Sequence, residues 1–515
     1  MRPRRRRPNG CVPRWSGLDR QPTGIESTEA GTSGPGRRDL TVGPIAPTLL
    51  AFALPTLGSS ALQSLNGSVN AIWVGRVLGE DALAATTNGN LVMFMLMAFV
   101  FGFGMAATIL IGQAFGRRDI ADARRVMGTA VASFVALATA IAVAGWLYAP
   151  QLLDLLATPG DALPLALAYL RVIFVGIPPI MMLTMLMMAL RGSGDAMTPL
   201  WFMGLNVGLD IVLNPIFILG LGPIPALGIA GSALATTVAG YASLAGMVTY
   251  IYARDLPLRL RGQELRFLKP DPTLLRVIVT KGLPMGLQMI VISSAALAML
   301  GLVNQHGVQV TAAYGVTQQL WTYVQMPGMA LGAAVSAMAA QNIGAGNWDR
   351  VAKITRTGVI FNLLMTGTLI VLLTVADKAL LGLFLGADSE AIPIARHIQL
   401  VATWGFLFFG VSLVLFGTVR ANGAVVGPLI IMFIAMYPVR LGFALGTRDW
   451  LGLDALWLSF PAGMVATSIM AVALYLHGGW KRGRMAPAEG RPDAIECREQ
   501  AEAVREPGGA LSPAG

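Results

Sequence analysis

The sequence predicts an all-α membrane protein with twelve transmembrane helices in two parallel six-helix repeats, and three observations predict it. Of 515 residues, 55% are hydrophobic and 12% charged, with mean hydropathy +0.65, whereas soluble domains carry about 25% charged residues. Apolar runs such as 91–113, 131–148 and 360–375 are mostly long enough for a hydrocarbon core, which takes roughly 20 residues of helix. The second half also repeats the first. Gly176, Arg191, Gly194 and Pro199 recur as Gly405, Arg420, Gly423 and Pro428, each 229 residues on. Pro55 returns at the same interval as Pro284, and Gln113 returns as Gln341, one residue out of step.

Lipid offers no partner to backbone N–H and C=O groups, so only helices or a closed barrel can cross it. The runs are continuous rather than alternating, which makes them helices. Helix one, 43–74, carries Pro55, which permits a bend. Helix two, 87–113, runs into Gly116, and Gly116 and its counterpart Gly344 read as C-caps before basic turns. Helix three spans 127–149. Helix four, 164–190, is rich in Met and closes on Arg191, whose charge complements the helix dipole. Helices five and six, 198–219 and 226–252, complete the first repeat. Seven basic residues between Arg254 and Lys281, with Pro257, Pro270 and Pro272, mark the join. The second repeat follows as 274–304, 311–340, 357–381, 392–419, 427–447 and 452–477. Six helices return the chain to the face it started from, so the repeats are parallel rather than inverted. The predicted units are a first lobe at 41–255, a linker at 256–273 and a second lobe at 274–478. Residues 1–40 and 479–515 have the composition of disordered tails.

A net charge of +10 invites a nucleic-acid role, but its placement argues against one. Nine arginines sit in residues 1–40, and the rest of the basic residues fall mostly in every second loop. That alternation is the positive-inside signature, which puts the basic loops and both termini in the cytoplasm of a bacterial-type inner membrane. The arginine-rich start leads into polar residues rather than a short apolar segment, so no signal peptide is expected. Cys11 and Cys497 fall in the predicted tails, and no disulfide is expected.

A carboxylate within a membrane helix costs about 2.5–3.5 kcal/mol on insertion scales. Nearly every acid here falls at a loop or helix end. Asp210, about eleven residues past Pro199, does not. One reading has it taking up a proton or holding Na⁺; the other has it locking two helices by hydrogen bonds. Asn206 lies one turn earlier on the same face. On helix one, Ser59, Gln63, Asn66 and Asn70 form a stripe at i, i+4, i+7 and i+11, read either as ligands and pocket lining or as polar contacts between helices. The second half has no embedded acid; Gln288, Gln318 and Tyr323 are its pocket candidates, with Arg440 its main embedded cation. No His-Glu-x-x-His or Gly-x-Ser-x-Gly occurs, and His306, His397 and His477 lie near membrane edges, so the chain is not expected to be an enzyme.

Leu54-Pro55, Gly112-Gln113-Ala114-Phe115-Gly116, Leu190-Arg191-Gly192-Ser193-Gly194-Asp195, the run from Asn206 through Asp210 to Asn214-Pro215, and Gln341-Asn342-Ile343-Gly344-Ala345-Gly346-Asn347 together resemble the MATE family, the multidrug and toxic compound extrusion transporters. The resemblance spans about residues 45–478. It implies two six-helix lobes in a V and export of organic compounds by exchange against H⁺ or Na⁺. Asn206 and Asp210 match the family's amide and carboxylate on helix five, and Thr236 or Thr237 the hydroxyl of helix six. Asn70 stands where many members have Asp. Helix seven lacks the acids of another branch, which favours the DinF-like branch. The expected partners are a small organic substrate and membrane lipids; no cofactor beyond the coupling ion is expected, and the chain is expected to act as a monomer. The alternative is a flippase for a lipid-linked intermediate, which a wide basic cavity would favour.

Overall fold

The computed structural model describes residues 39–78, 80–155, 163–220, 225–385 and 389–485, and among them every regular element is helical. The first half comprises α1 (Ile45–Leu78), α2 (Glu80–Gly116), α3 (Ile120–Leu155), α4 (Leu163–Gly192), α5 (Met197–Leu219) and α6 (Gly228–Ala253). The second comprises α7 (Pro272–Asn304), α8 (Val308–Gly344), α9 (Trp348–Val375), α10 (Asp377–Leu385), α11 (Ala391–Ala402), α12 (Gly405–Ala421), α13 (Val426–Ile434), α14 (Gly442–Gly446), α15 (Arg448–Leu451) and α16 (Asp454–His477). A π-helical segment, Ala435–Leu441, joins α13 to α14.

Among the described residues, ten spans are long and apolar enough to cross a bilayer, and the bent pair α11 and α12 makes an eleventh. The twelfth crossing is α8. It carries Gln309, Gln318, Gln319 and Gln325, yet most of its 37 residues are buried in protein. A helix that meets other helices rather than acyl chains does not need a lipid-like composition.

The structure corrects several boundaries. The predicted helix ten is broken by 47° between Ala402 and Gly405. Leu40, assigned to the tail, is fully buried; its N–H donates to Gln341 Oε1 at 3.3 Å and its carbonyl accepts from Asn342 Nδ2 at 3.0 Å. Trp480 and Met485, also assigned to a tail, are buried, and Asn422 Nδ2 donates to the Trp480 carbonyl at 2.9 Å. Gly116 and Gly344 are not left-handed caps, since neither has positive φ. They are points of close approach instead. A Cβ on Gly116 would overlap the Gln341 carbonyl, and one on Gly344 the Gln113 carbonyl.

That crossing of α2 and α8 belongs to a clasp between the halves. Gln113 Nε2, at the end of α2, donates to the Ala421 carbonyl at 2.7 Å, and Gln341 Nε2, at the end of α8, donates to the Gly192 carbonyl at 3.0 Å. Each amide thus satisfies an end carbonyl of a helix in the other half, a group that intrahelical bonding leaves free. Arg350 adds bonds to the Val42 and Gly43 carbonyls at 3.0 and 2.8 Å. Among the described residues, hydrogen bonds between the halves all lie at this end, the end that carries the linker.

The linker is docked rather than slack. Its 3₁₀ turn, Gly262–Leu268, rests against α3. Arg124 donates to the Pro257 carbonyl at 2.7 Å and pairs with Glu264, while Arg125 pairs with Asp271. Asp271 also caps α7, accepting from the Thr273 N–H at 2.8 Å. The Arg261 backbone N–H, and after it the Arg124 guanidinium, hold the Glu264 carboxyl below the usual carboxylate range.

Two outcomes follow from these contacts. Replacing Gln113 and Gln341 by Ala strips donors from buried carbonyls, a change of about 1–3 kcal/mol per site. A cysteine at Ser193, a position that is 3% exposed, should then react with a soluble maleimide about tenfold faster, and an unchanged rate would contradict the clasp. A lowered carboxyl pKa contributes stability that is present above the unfolded value and lost as pH falls through the folded one. Hydrogen exchange in 256–271 should therefore rise only in acid for the native chain, and already at neutral pH for Glu264→Gln.

Candidate functional site

α5 presents one acid to the interior of the first half. Asp210 is 1% exposed, and its Oδ1 accepts from Thr236 Oγ1 on α6 at 2.9 Å. The Asn66 amide of α1 also meets this carboxyl, but Oδ2 has no regular hydrogen bond. One turn to either side on α5 stand Asn206 and Asn214. Asn214 Nδ2 donates to the Asp210 backbone carbonyl at 2.9 Å. The side-chain oxygens of Asn66, Asn206 and Asn214 lack partners as well. Four side-chain oxygens, one of them on the carboxyl, thus lie along α5 and the facing part of α1 without a regular hydrogen bond. Buried polar atoms are normally paired, so such a group points to a proton or cation.

The two threonines left open by the sequence are told apart here. Neighbours on a helix project about 100° apart. Thr236 faces Asp210, whereas Thr237 reaches the Val172 carbonyl of α4 at 3.4 Å and lies over Gly176. Asn70 accepts from Ser232 Oγ at 2.7 Å, one turn from Thr236, and so ties α1 to α6 beside the carboxyl. Tyr169 of α4, 2% exposed, lies within electrostatic reach of Asp210. Sequence reasoning missed both Tyr169 and Ser232. One Tyr among many apolar residues and one Ser in a Gly-Ala run carry no local signal.

The remaining candidates disperse. Asn66, expected to line a substrate cavity, joins the Asp210 cluster. Gln63, Gln318 and Tyr323 are exposed on α1 and α8. Gln288 is buried and spoken for: its Oε1 accepts from Arg420 and its Nε2 donates to the Val425 carbonyl at 3.4 Å. It ties α7 to α12 and α13 rather than lining a pocket. Arg440 is buried with its guanidinium carbon 3.7 Å from the Phe460 ring centroid. Among the described residues no group of three or more His, Cys, Asp or Glu side chains is placed to hold a metal.

Comparison with known proteins gives the same two-part frame. The sequence profile described as MatE matches residues 55–216 and again 284–445. The chain is 35% identical over 433 residues to the probable multidrug resistance protein YoeA of Bacillus subtilis, covering 84% of this chain and 93% of that one. It is 32% identical to the probable multidrug resistance protein YpnP of the same organism, covering 86% and 97%. A solved structure of a multidrug resistance MATE family transporter of the MOP superfamily in an outward-facing conformation superposes with a TM-score of 0.80, covering 86% of this chain and 98% of that one. At 21% identity that likeness speaks to the fold alone. The flippase alternative gains nothing from these relatives.

Removing a donor from a buried carboxylate costs about 1–3 kcal/mol. Thr236→Val should lower the unfolding midpoint in detergent by more than Thr237→Val, whose single bond is long at 3.4 Å. Equal losses would remove Thr236 from the site.

Proposed function

The chain belongs to the MATE family of multidrug efflux transporters, and from that premise we propose that it exports organic compounds from the cytoplasm across the bacterial inner membrane in exchange for H⁺ or Na⁺, with Asp210 as the coupling group. The observation that carries this reading is the orphaned Oδ2 of a fully enclosed carboxyl beside three unpartnered amide oxygens. Either ion meets the same need. A proton on Oδ2 turns that atom into a donor for which amide acceptors stand ready. A Na⁺ ion instead draws on the Asp210 carboxyl together with amide oxygen from its neighbours on α1 and α5. Asn70, in the place where many members have Asp, contributes an amide and leaves Asp210 the one acid embedded mid-helix among the described residues, so each cycle is coupled through a single charge.

Alternating access supplies the rest of the cycle. With the linker side cytoplasmic, the Gln113 and Gln341 clasp holds the molecule shut toward the cytoplasm and open on the other side. Ion binding at Asp210 shifts the contacts of α1 with α5 and α6, which favours substrate release outward. Breaking the clasp then reopens the cytoplasmic side, and one protomer suffices for the whole cycle. One unit charge moving down 100 mV supplies about 2.3 kcal/mol, enough for a modest gradient of exported compound.

Dye efflux from proteoliposomes, with pH and Na⁺ gradients imposed separately, tests the proposal. One gradient should drive efflux by the native chain, and Asp210→Asn should reduce that efflux to the rate seen without a gradient. Equal gradient-driven efflux by the variant and the native protein would refute coupling at Asp210.

A further inference from the structure

The second half buries a charge of its own and gives it no counter-ion. Arg440 is 7% exposed, with its guanidinium over Phe460, its Nη1 3.8 Å from Met436 Sδ and the Tyr314 hydroxyl beside it. Its Nε has no partner. Among the described residues no carboxylate pairs with it: Asp377 is held by Arg396 at 2.6 Å, Asp454 by His397 at 2.7 Å and Glu390 by Gln309 at 2.6 Å. Gly463 keeps open the space that the side chain fills, since a Cβ there would meet the Arg440 Cβ at 3.1 Å. An isolated guanidinium held out of water is strongly unfavourable.

A second donor nearby is also left over. The Trp457 Nε1–H is fully buried and has no acceptor, although buried indoles normally find one. Trp457 stacks on Tyr314 with ring centroids 6.0 Å apart, and Tyr314 lies 5.9 Å from Phe460. One tyrosine therefore links both orphan donors. The first half leaves acceptor atoms unpartnered around Asp210, and here two donors, Arg440 Nε and Trp457 Nε1, are unpartnered in side chains that both contact Tyr314.

The repeat places the two charges in register. Asp210 follows Pro199 by eleven residues and Arg440 follows Pro428 by twelve. A π-helical segment takes one more residue per turn than α-helix geometry allows, and Ala435–Leu441 absorbs the extra one. Arg440 rather than Val439 accordingly turns into the protein, against α16, as Asp210 turns toward α6.

We propose that the second half contains an oxyanion site, in which the Arg440 guanidinium and the Trp457 indole N–H, with the Tyr314 hydroxyl, receive a carboxylate or phosphate group. The site is separate from the Asp210 cluster and does not rest on the coupling reading. The group it takes is carried by a transported solute, by free phosphate or by a lipid headgroup, which share this chemistry.

Thermal unfolding of the purified full-length protein, titrated separately with carboxyfluorescein, inorganic phosphate and phosphatidylglycerol, tests the site. A ligand that binds only the folded state raises the midpoint. At least one probe should do so for the native chain and equally for Asp210→Asn, and the probe that acts identifies the source. Arg440→Gln should weaken that binding by about tenfold or more. Trp457→Phe keeps the ring and removes only the N–H, and should weaken it about fivefold; this variant decides alone if Arg440→Gln does not fold. No shift with any probe in the native chain, or unchanged affinity in the variants that fold, would overturn the proposal.

Discussion

Within a hydrocarbon layer a polar atom that lacks a protein partner has no water to replace it, and the rest of this molecule answers to that constraint. Most buried polar side chains here spend their capacity locally, as Thr108 does in donating to the Gly104 and Met188 carbonyls, both at 2.9 Å. Against that background, atoms left unsatisfied carry information. Among them are the acceptors about Asp210 in the first half and the Arg440 Nε and Trp457 Nε1 donors in the second.

The same constraint bears on how the two halves hold together. Helices gain no hydrophobic energy from meeting one another in lipid, so close packing and hydrogen bonds must join them. Here α2 and α8 cross where Gly116 and Gly344 bring backbones into contact, and Gln113 and Gln341 trade bonds to end carbonyls of the opposite half. The hydrogen bonds between the halves lie at the linker end and add to the packing of α1 and α2 against α7 and α8. The docked linker, held by Arg124 and Arg125, also tethers the halves at that end.

Duplication supplied both halves with one scaffold, and divergence gave them opposite charges at matching places. The inserted residue of the π-helical segment is the local change that turns Arg440 inward. In the first half, small residues of α6 let Thr236 and Ser232 reach α5 and α1. In the second, the guanidinium lies over the Phe460 ring face, to which a cation is attracted, and Tyr314 packs against both Phe460 and Trp457.

The sequence alone determined the helical membrane class, the parallel repeat and the singular standing of Asp210, because apolar length, residue recurrence and the scarcity of embedded charge are properties of composition and order. It placed Asn206 beside Asp210 through helical spacing, which needs no tertiary knowledge. It left Thr236 and Thr237 undecided, assigned Gln288 to a pocket and took Gly116 and Gly344 for caps. Those questions turn on which neighbouring helix a side chain faces, and adjacent positions on a helix look identical until packing fixes its rotation. Tyr169, Ser232 and Trp457 gained their places only from the tertiary structure, since each is defined by a partner on another helix far away in the chain. Periodicity gives the direction of a residue about its own axis, whereas the identity of what it meets is decided by how the helices are assembled.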